Sequence, residues 1–318
     1  MSALVPTLGL SPWLVPCLQA LRREGGNDLE ILLVFQGEEP GHAEPGEEVF
    51  RLADTVIRLG NNLGFAAANN LGLAQARGEI LATVNDDVIV EEGWLDHLLR
   101  ALEAHPEAAA VQGVNLRLDE PQQLDGWGLG WNRSWQAVQL GHLSPAKNAP
   151  VEVTEVFGVS ATAALYRRNI LRETTGPERK VFDERLFAYY EDVELAIRLR
   201  SAGHTALVVP SARARHAGSS SGRQMPWGSR QLIYGNRYLV LAHLFGRGLW
   251  RRLPRIMLRD LLDLGRALLR REGSTAAGIL AGGIRAILQG RHFLHFDEPC
   301  IPARELRRFQ LSSEELVR

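Results

Sequence analysis

Cysteine is almost missing from this chain: 318 residues carry two, Cys17 and Cys300, far apart and in no CxxC or metal-finger spacing. A disulfide framework and a cysteine-based metal site are therefore excluded, and a reducing cytoplasm is the expected setting. Lysine is just as scarce. Only Lys147 and Lys180 are present, so nearly all the basic charge is arginine, which favours bidentate phosphate contacts where it clusters. Net charge is close to nil, at −1, so bulk attraction to nucleic acid is unsupported and no such partner is expected. Long hydrophobic runs are lacking too. A membrane span needs about 18 or more apolar residues, and the nearest stretch, Gly278 to Leu288, is short and carries Arg285. Met1 to Pro6 has neither the charged flank nor the apolar run of a signal peptide. No GxGxxG or GxxxxGK(S/T) falls at a strand-to-helix junction, which weakens dehydrogenase and P-loop readings.

What is present is an ordinary globular composition, 45% hydrophobic and 23% charged, in a chain long enough for a sizeable core. Ala3–Val5 reads as a buried strand closed by Pro6 and Thr7. Ser11 and Pro12 read as an N-cap and first helical residue of a helix reaching about Arg23. Glu30–Phe35, Thr55–Leu59 and Glu79–Val84 read as further strands; Phe65–Ala76 and Glu91–Ala104 read as helices. That alternation predicts an α/β fold with a doubly wound, mostly parallel sheet, in which ligands bind at the carboxyl ends of strands. Beyond Asn115 a Gly-, Pro- and Trp-rich excursion, Asp119 to Pro150, predicts a hairpin or long loop. Strands at Val151–Phe157, Ala161–Tyr166 and His204–Val209 and a helix at Glu191–Ser201 follow, and from Gln224 the chain reads as helical and arginine-rich.

Three segments carry chemistry. Asn85-Asp86-Asp87 closes an apolar strand. Crowded carboxylates there suit a Mg²⁺ or Mn²⁺ ion that offsets a diphosphate, or form a solvated turn. In Phe182–Leu195 acids alternate with aromatics ahead of a helix. Asp192 sits where the helix dipole favours a carboxylate, and Glu194 and Arg198 are spaced to pair. Asn62-Leu63-Gly64-Phe65, running on to Asn69 and Asn70, joins a glycine turn to a small-residue helix start suited to phosphate or ribose, or to tight packing.

Taken in order, Pro6-Thr7, N-L-G-F-A-A-A-N-N-L-G from Asn62, N-D-D from Asn85, F-D-E-R-L-F-A-Y-Y-E-D-V-E-L from Phe182 and R-H-A-G-S-S-S from Arg215 resemble family 2 glycosyltransferases. The likeness is to the rhamnosyltransferase-like and galactofuranosyltransferase-like branch and covers about Leu4 to Ser221. It implies a GT-A fold, inversion at the anomeric carbon, a divalent Mn²⁺ or Mg²⁺ ion and a nucleotide diphosphate-sugar donor. It also implies a glycan or lipid-linked acceptor. By the same resemblance Asp192 is the catalytic base with Glu191 beside it, and Asp87 and His216 are metal ligands. Pro6, Thr7, Gln36, Asn62, Gly64, Phe65, Asn70, Asn85 and Asp86 line the donor site. Two departures stand out. Asn85 replaces a carboxylate, and Phe35 stands where relatives have the aspartate that reads a pyrimidine, so that stacking on Phe35 or contact with Gln36 would take over.

Trp127, Trp131 and Trp135 recur every four residues, as acceptor-stacking indoles or as one packed helix side. Between Arg247 and Arg291 ten arginines face three acids among many leucines, which suits peripheral contact with an anionic membrane or a packed helical pair. The expected division is a catalytic domain over 1–222, with a nucleotide half 1–115 and an acceptor half 116–222, and a helical region over 223–318. Two rivals remain: a sugar-phosphate nucleotidyltransferase, which would want a basic residue in the Thr7–Ser11 loop, and a non-catalytic homologue that binds nucleotide-sugar.

Overall fold

A computed structural model describes residues 1–9, 11–37, 46–176, 180–218, 226–290 and 301–311. Cys300, the serines Ser219–Ser221 and the boundary expected at residue 222 lie outside the described residues. The first half runs β1 (Ser2–Thr7), α1 (Leu14–Gly25), β2 (Glu30–Phe35), α2 (Glu47–Leu52), β3 (Thr55–Arg58), α3 (Phe65–Gln75) and β4 (Ile80–Val84). Then come β5 (Val88–Val90), α4 (Trp94–Ala104), β6 (Ala108–Arg117), β7 (Leu124–Gly126), β8 (Leu129–Trp131) and β9 (Ala137–Gln139). The sheet-bearing part ends with β10 (Thr154–Val156), β11 (Ala163–Arg167), α5 (Arg168–Thr175), α6 (Glu191–Ser201) and β12 (Thr205–His216). The tail is helical: α7 (Pro226–Phe245), α8 (Leu253–Leu269), α9 (Gly273–Gly290) and α10 (Ala303–Arg308).

One 10-stranded sheet runs β10-β12-β6-β11-β4-β1-β2-β3, with β5 on β12 and β7 on β6. Strands β3, β2, β1 and β4 are parallel, as the alternating pattern predicts; from β11 onward antiparallel pairs join in. The parallel strands are covered on both faces and so read as unbroken apolar runs. Ala3, Val5, Ile31 and Leu33 face α1 and α4, while Leu4 and Leu32 fall in the cluster with α3, α5 and α6. A third cluster joins Trp131, Phe157, Tyr190 and Val193 to Leu239, Val240, Leu244 and Phe245 of α7, so α7 packs on the sheet-bearing part. No helix among the described residues is long and apolar enough to cross a membrane.

Several boundaries differ from expectation for local reasons. Helix α1 starts at Leu14, two residues later than Pro12; Ser11 Oγ accepts from Trp13 N in the turn ahead of it and donates to the Asp86 carbonyl. Helix α4 starts at Trp94, after Gly93 turns left-handed at φ 79°. The strand expected over Val151–Phe157 shrinks to three residues, whereas β12 continues past an irregularity after Val209 to His216. That continuation matters, because it delivers a histidine to the site.

Candidate active site

The polar ends of the parallel strands open into one cavity of about 1370 Å³. Pro6, Thr7, Gln36, Asn62, Gly64 and Phe65 line one side, and Asn85, Asp86, Asp87 and His216 another. Glu191 and Asp192, at the first turn of α6, complete the wall. The register explains the meeting of segments remote in sequence. Strand β1 lies between β2 and β4, so Thr7 ends beside the Asn85–Asp87 loop, and its Oγ1 donates to Asp86 Oδ2 at 2.5 Å. Strand β5, which follows Asp87 directly, pairs with β12 so that Val88 lies opposite His216.

His216 Nε2 is buried and pairs with Asp87 Oδ1 at 3.2 Å. Its Nδ1 lies 2.9 Å from Asp125 Oδ2, which comes from β7. Burial opposes protonation of this ring, yet the Asp125 and Asp87 carboxylates outweigh it and lift the pKa to about 10. Asp86 is pushed up to about 7, chiefly by burial and also by Asp87, against the opposing Thr7 hydrogen bond. This donor set fits a hard divalent cation. Asp87 offers oxygen, His216 offers a buried nitrogen facing it at 3.2 Å that would lose its proton to an ion, and Asp125 holds the imidazole from behind. Among the described residues no group of three His, Cys, Asp or Glu is arranged to hold an ion alone. The fit is therefore to an ion completed by substrate phosphate oxygens or water.

Glu191 and Asp192 form a second acidic group on the same cavity. Asp192 is partly exposed; its Oδ1 accepts from Val193 N at 2.8 Å and its Oδ2 lies 3.4 Å from Ala161 N. Burial raises it to about 6, with those two amides pulling the other way. Glu191 is raised well above the carboxylate range by burial and by the Asp192 charge, and its Oε2 has no partner. Glu194 behaves oppositely. Burial would raise it, but His243 and Arg198 hold it at about 2. Three Arg198 bonds and the His243 pair tie Glu194 to packing, so it faces α7 and does not line the cavity.

The turn before α6 is strained. Phe187, Tyr189 and Tyr190 have φ of 64°, 65° and 72°, a region that costs a non-glycine residue roughly 1–2 kcal/mol. Asn236 of α7, fully buried, holds it: its Nδ2 lies 2.8, 2.9 and 2.8 Å from the carbonyls of Leu186, Ala188 and Tyr189. Gly64 lets α3 approach the same turn. A Cβ there would meet the Phe187 carbonyl at 2.6 Å, and φ is 88°.

Several expected site residues lie elsewhere. Asn70 does not line the cavity: its side chain accepts from Phe182 N and donates to Phe182 O and Glu184. The tryptophan spacing is not helical, since Trp131 ends β8 of the β8–β9 hairpin and Trp135 lies in its turn. Trp131 is fully buried against Phe157, and Trp135 packs edge-on against Phe245 at 4.7 Å, so only Trp127 lines the cavity. Phe35 is buried beneath Gly37 and offers no stacking face. Gln36 does line the cavity, with Oε1 committed to Leu63 N at 3.0 Å and its amide NH₂ as the remaining donor. The amide of Ala66 is already bonded to the Phe187 carbonyl, which reduces what α3 can offer a phosphate. Asp125 and Asn236 carried no signal strong enough to single them out. The first stands among the tryptophans, and the second is an asparagine inside a helix, where it is a poor former.

The family described as Glycosyl transferase family 2 matches residues 2–175, more than half of the chain. N-acetylglucosaminyl-diphospho-decaprenol L-rhamnosyltransferase of Mycobacterium tuberculosis is 28% identical over 288 residues, spanning 81% of this chain and 89% of that protein. Among solved structures, GalNAc-T7 with UDP, GalNAc and Mn²⁺ superposes at TM-score 0.59 and 15% identity over 92% of this chain, which spans 55% of that one. The mannosyltransferase PcManGT from Pyrobaculum calidifontis, in complex with GDP-Man and Mn²⁺, superposes at TM-score 0.54 and 17% identity, over 90% of this chain and 86% of that one. At those identities the superpositions speak for the fold alone, and they agree on it.

Proposed function

Since the chain belongs to glycosyl transferase family 2 and has the GT-A fold, we propose that it transfers L-rhamnose, or failing that a sugar carried on UDP, from a nucleoside diphosphate to a hydroxyl of a lipid-linked or polysaccharide glycan. Inversion at the anomeric carbon and dependence on Mn²⁺ or Mg²⁺ belong to the same reading, as does a cytoplasmic setting. The observation that carries it is the placing of Asp192 and the Asp87–His216 pair on one cavity at the strand ends. The decaprenol-linked substrate in the name of the mycobacterial relative supports the lipid-linked acceptor.

In this mechanism Asp192 takes the proton of the acceptor hydroxyl as that oxygen attacks the anomeric carbon. Val193 and Ala161 amides orient its carboxylate, while burial and the Asp192 charge disfavour the ionised form of Glu191 beside it. Asp87 and His216 would hold the divalent ion, which offsets negative charge on the departing diphosphate when bound. Gln36 presents its NH₂ to the nucleotide base in place of the missing aspartate. Purified protein with Mn²⁺, a panel of nucleotide-sugars and a polyprenyl-diphosphate-linked GlcNAc acceptor should release nucleoside diphosphate and form an inverted glycoside, read by NMR. Tight donor binding without transfer from any donor would instead support the non-catalytic homologue.

The raised pKa makes a pH prediction. Asp192 must be ionised to accept a proton, so kcat/KM should fall about tenfold per pH unit below about 6. An acid limb near pH 4, where an ordinary aspartate titrates, would remove Asp192 from the role of base.

A further inference from the structure

Helix α8 is turned inside out. Its aspartates face the protein: Asp260 receives Arg237 and Tyr238 from α7, and Asp263 lies 3.4 Å from the Tyr234 hydroxyl. Its opposite face carries Met257, Leu258, Leu261, Leu262, Leu268 and Leu269, between 50% and 87% exposed. Helix α9, in contact with α8, exposes Leu280, Ile284, Ile287 and Leu288. Eleven of the sixteen exposed large hydrophobic side chains among the described residues fall between Trp250 and Leu288. That is a surface rather than a scatter, and surfaces of this kind mark an interaction site.

Charge selects the occupant. From Arg247 to Arg271 eight arginines stand against two aspartates, and both aspartates are already paired. The helical period sets Arg255 and Arg266 along the border of the apolar face, beside Leu262 and Leu269. A second copy of the chain would bring an equally arginine-rich border to the contact. An anionic bilayer meets both needs at once, with acyl chains for the leucines and headgroup phosphates for the arginines. At 17 residues α8 is about 25 Å long and lies along a surface rather than across a bilayer.

We propose that the outer face of α8 and α9 docks this protein on an anionic phospholipid surface, with both helices lying in the headgroup plane. The inference rests on the surface alone and is independent of which sugar is transferred.

Vesicle flotation of the full chain tests it. Wild-type protein is expected to float with vesicles containing about 30% phosphatidylglycerol, but not with pure phosphatidylcholine, and to be released at about 0.5 M NaCl. Leu258→Glu with Leu262→Glu, at exposed positions the fold does not need, should cut binding about tenfold or more. Arg255→Glu with Arg266→Glu should do the same, since each basic residue near such a surface contributes about fivefold. Wild-type protein left in the soluble fraction at low salt would overturn the proposal. So would glutamate variants that float as well as wild type. A wild-type dimer in ultracentrifugation, broken by the leucine variants and without vesicle binding, would likewise overturn it and make the face a self-association surface.

Discussion

Asp192→Asn is expected to lower kcat by about 10²–10⁴-fold, or about 3–5 kcal/mol of barrier. The substitution keeps the size of the side chain and an oxygen able to accept from Val193 N, but removes the basic carboxylate. Donor binding should change little, because nothing in the proposed role contacts the nucleotide. Stability should not fall either. The folded-state pKa of Asp192 lies above its ordinary value, so its charge opposes folding increasingly as pH rises from about 4 through about 6. At pH 7 the neutral amide relieves that cost, and Tm should be equal or higher. Steady-state transfer, donor titration and thermal melts separate the outcomes. A variant retaining more than about a tenth of wild-type kcat would place Asp192 among helix-capping acids. Loss of donor binding would make its role architectural and pass the base to Glu191, because Glu194 is locked by Arg198 and His243.

Removal of divalent metal should be comparably severe. Transfer is expected to drop by about a hundredfold or more in excess EDTA and to return with Mn²⁺ or Mg²⁺, as the charge on a leaving diphosphate is worth several kcal/mol. His216→Ala should raise the metal concentration needed for half-maximal activity. Asp125→Asn should raise it about 10–100-fold, since it leaves both proposed ligands in place but loosens the imidazole. Calorimetric titration of Mn²⁺ gives the same quantity without turnover. Full activity after exhaustive dialysis against EDTA would discard the ion, and an unchanged titration for Asp125→Asn would reduce its contact to packing.

The strands that carry this site were legible because they are buried on both faces. Runs such as Ile80–Val84 end abruptly in Asn85-Asp86-Asp87, and so many polar groups at a strand end need a reason. Helix α6 was legible from end to end for the same reason: its acids crowd its first turn. The misreadings share a cause as well. A four-residue spacing of tryptophans fits a helix, but tertiary pairing made it a hairpin, and Trp131 went to the core between Phe157 and α7. Phe35 looked free to stack on a base because nothing in sequence shows that Gly37 folds over it. Asp125 meets His216 across 91 residues and Asn236 reaches Leu186 across 50; no local pattern announces contacts of that range.

The Asn236 contact has a consequence for the order in which the molecule is made. Synthesis runs from the amino end, so the parallel strands β1 to β4 emerge first and can close their ladder among themselves. The left-handed turn ahead of Asp192 cannot settle at that stage, because the amide that holds its three carbonyls has yet to leave the ribosome. On the proposed assignment, a chain that ends before α7 would lack the clamp on the turn that carries Asp192 into the site.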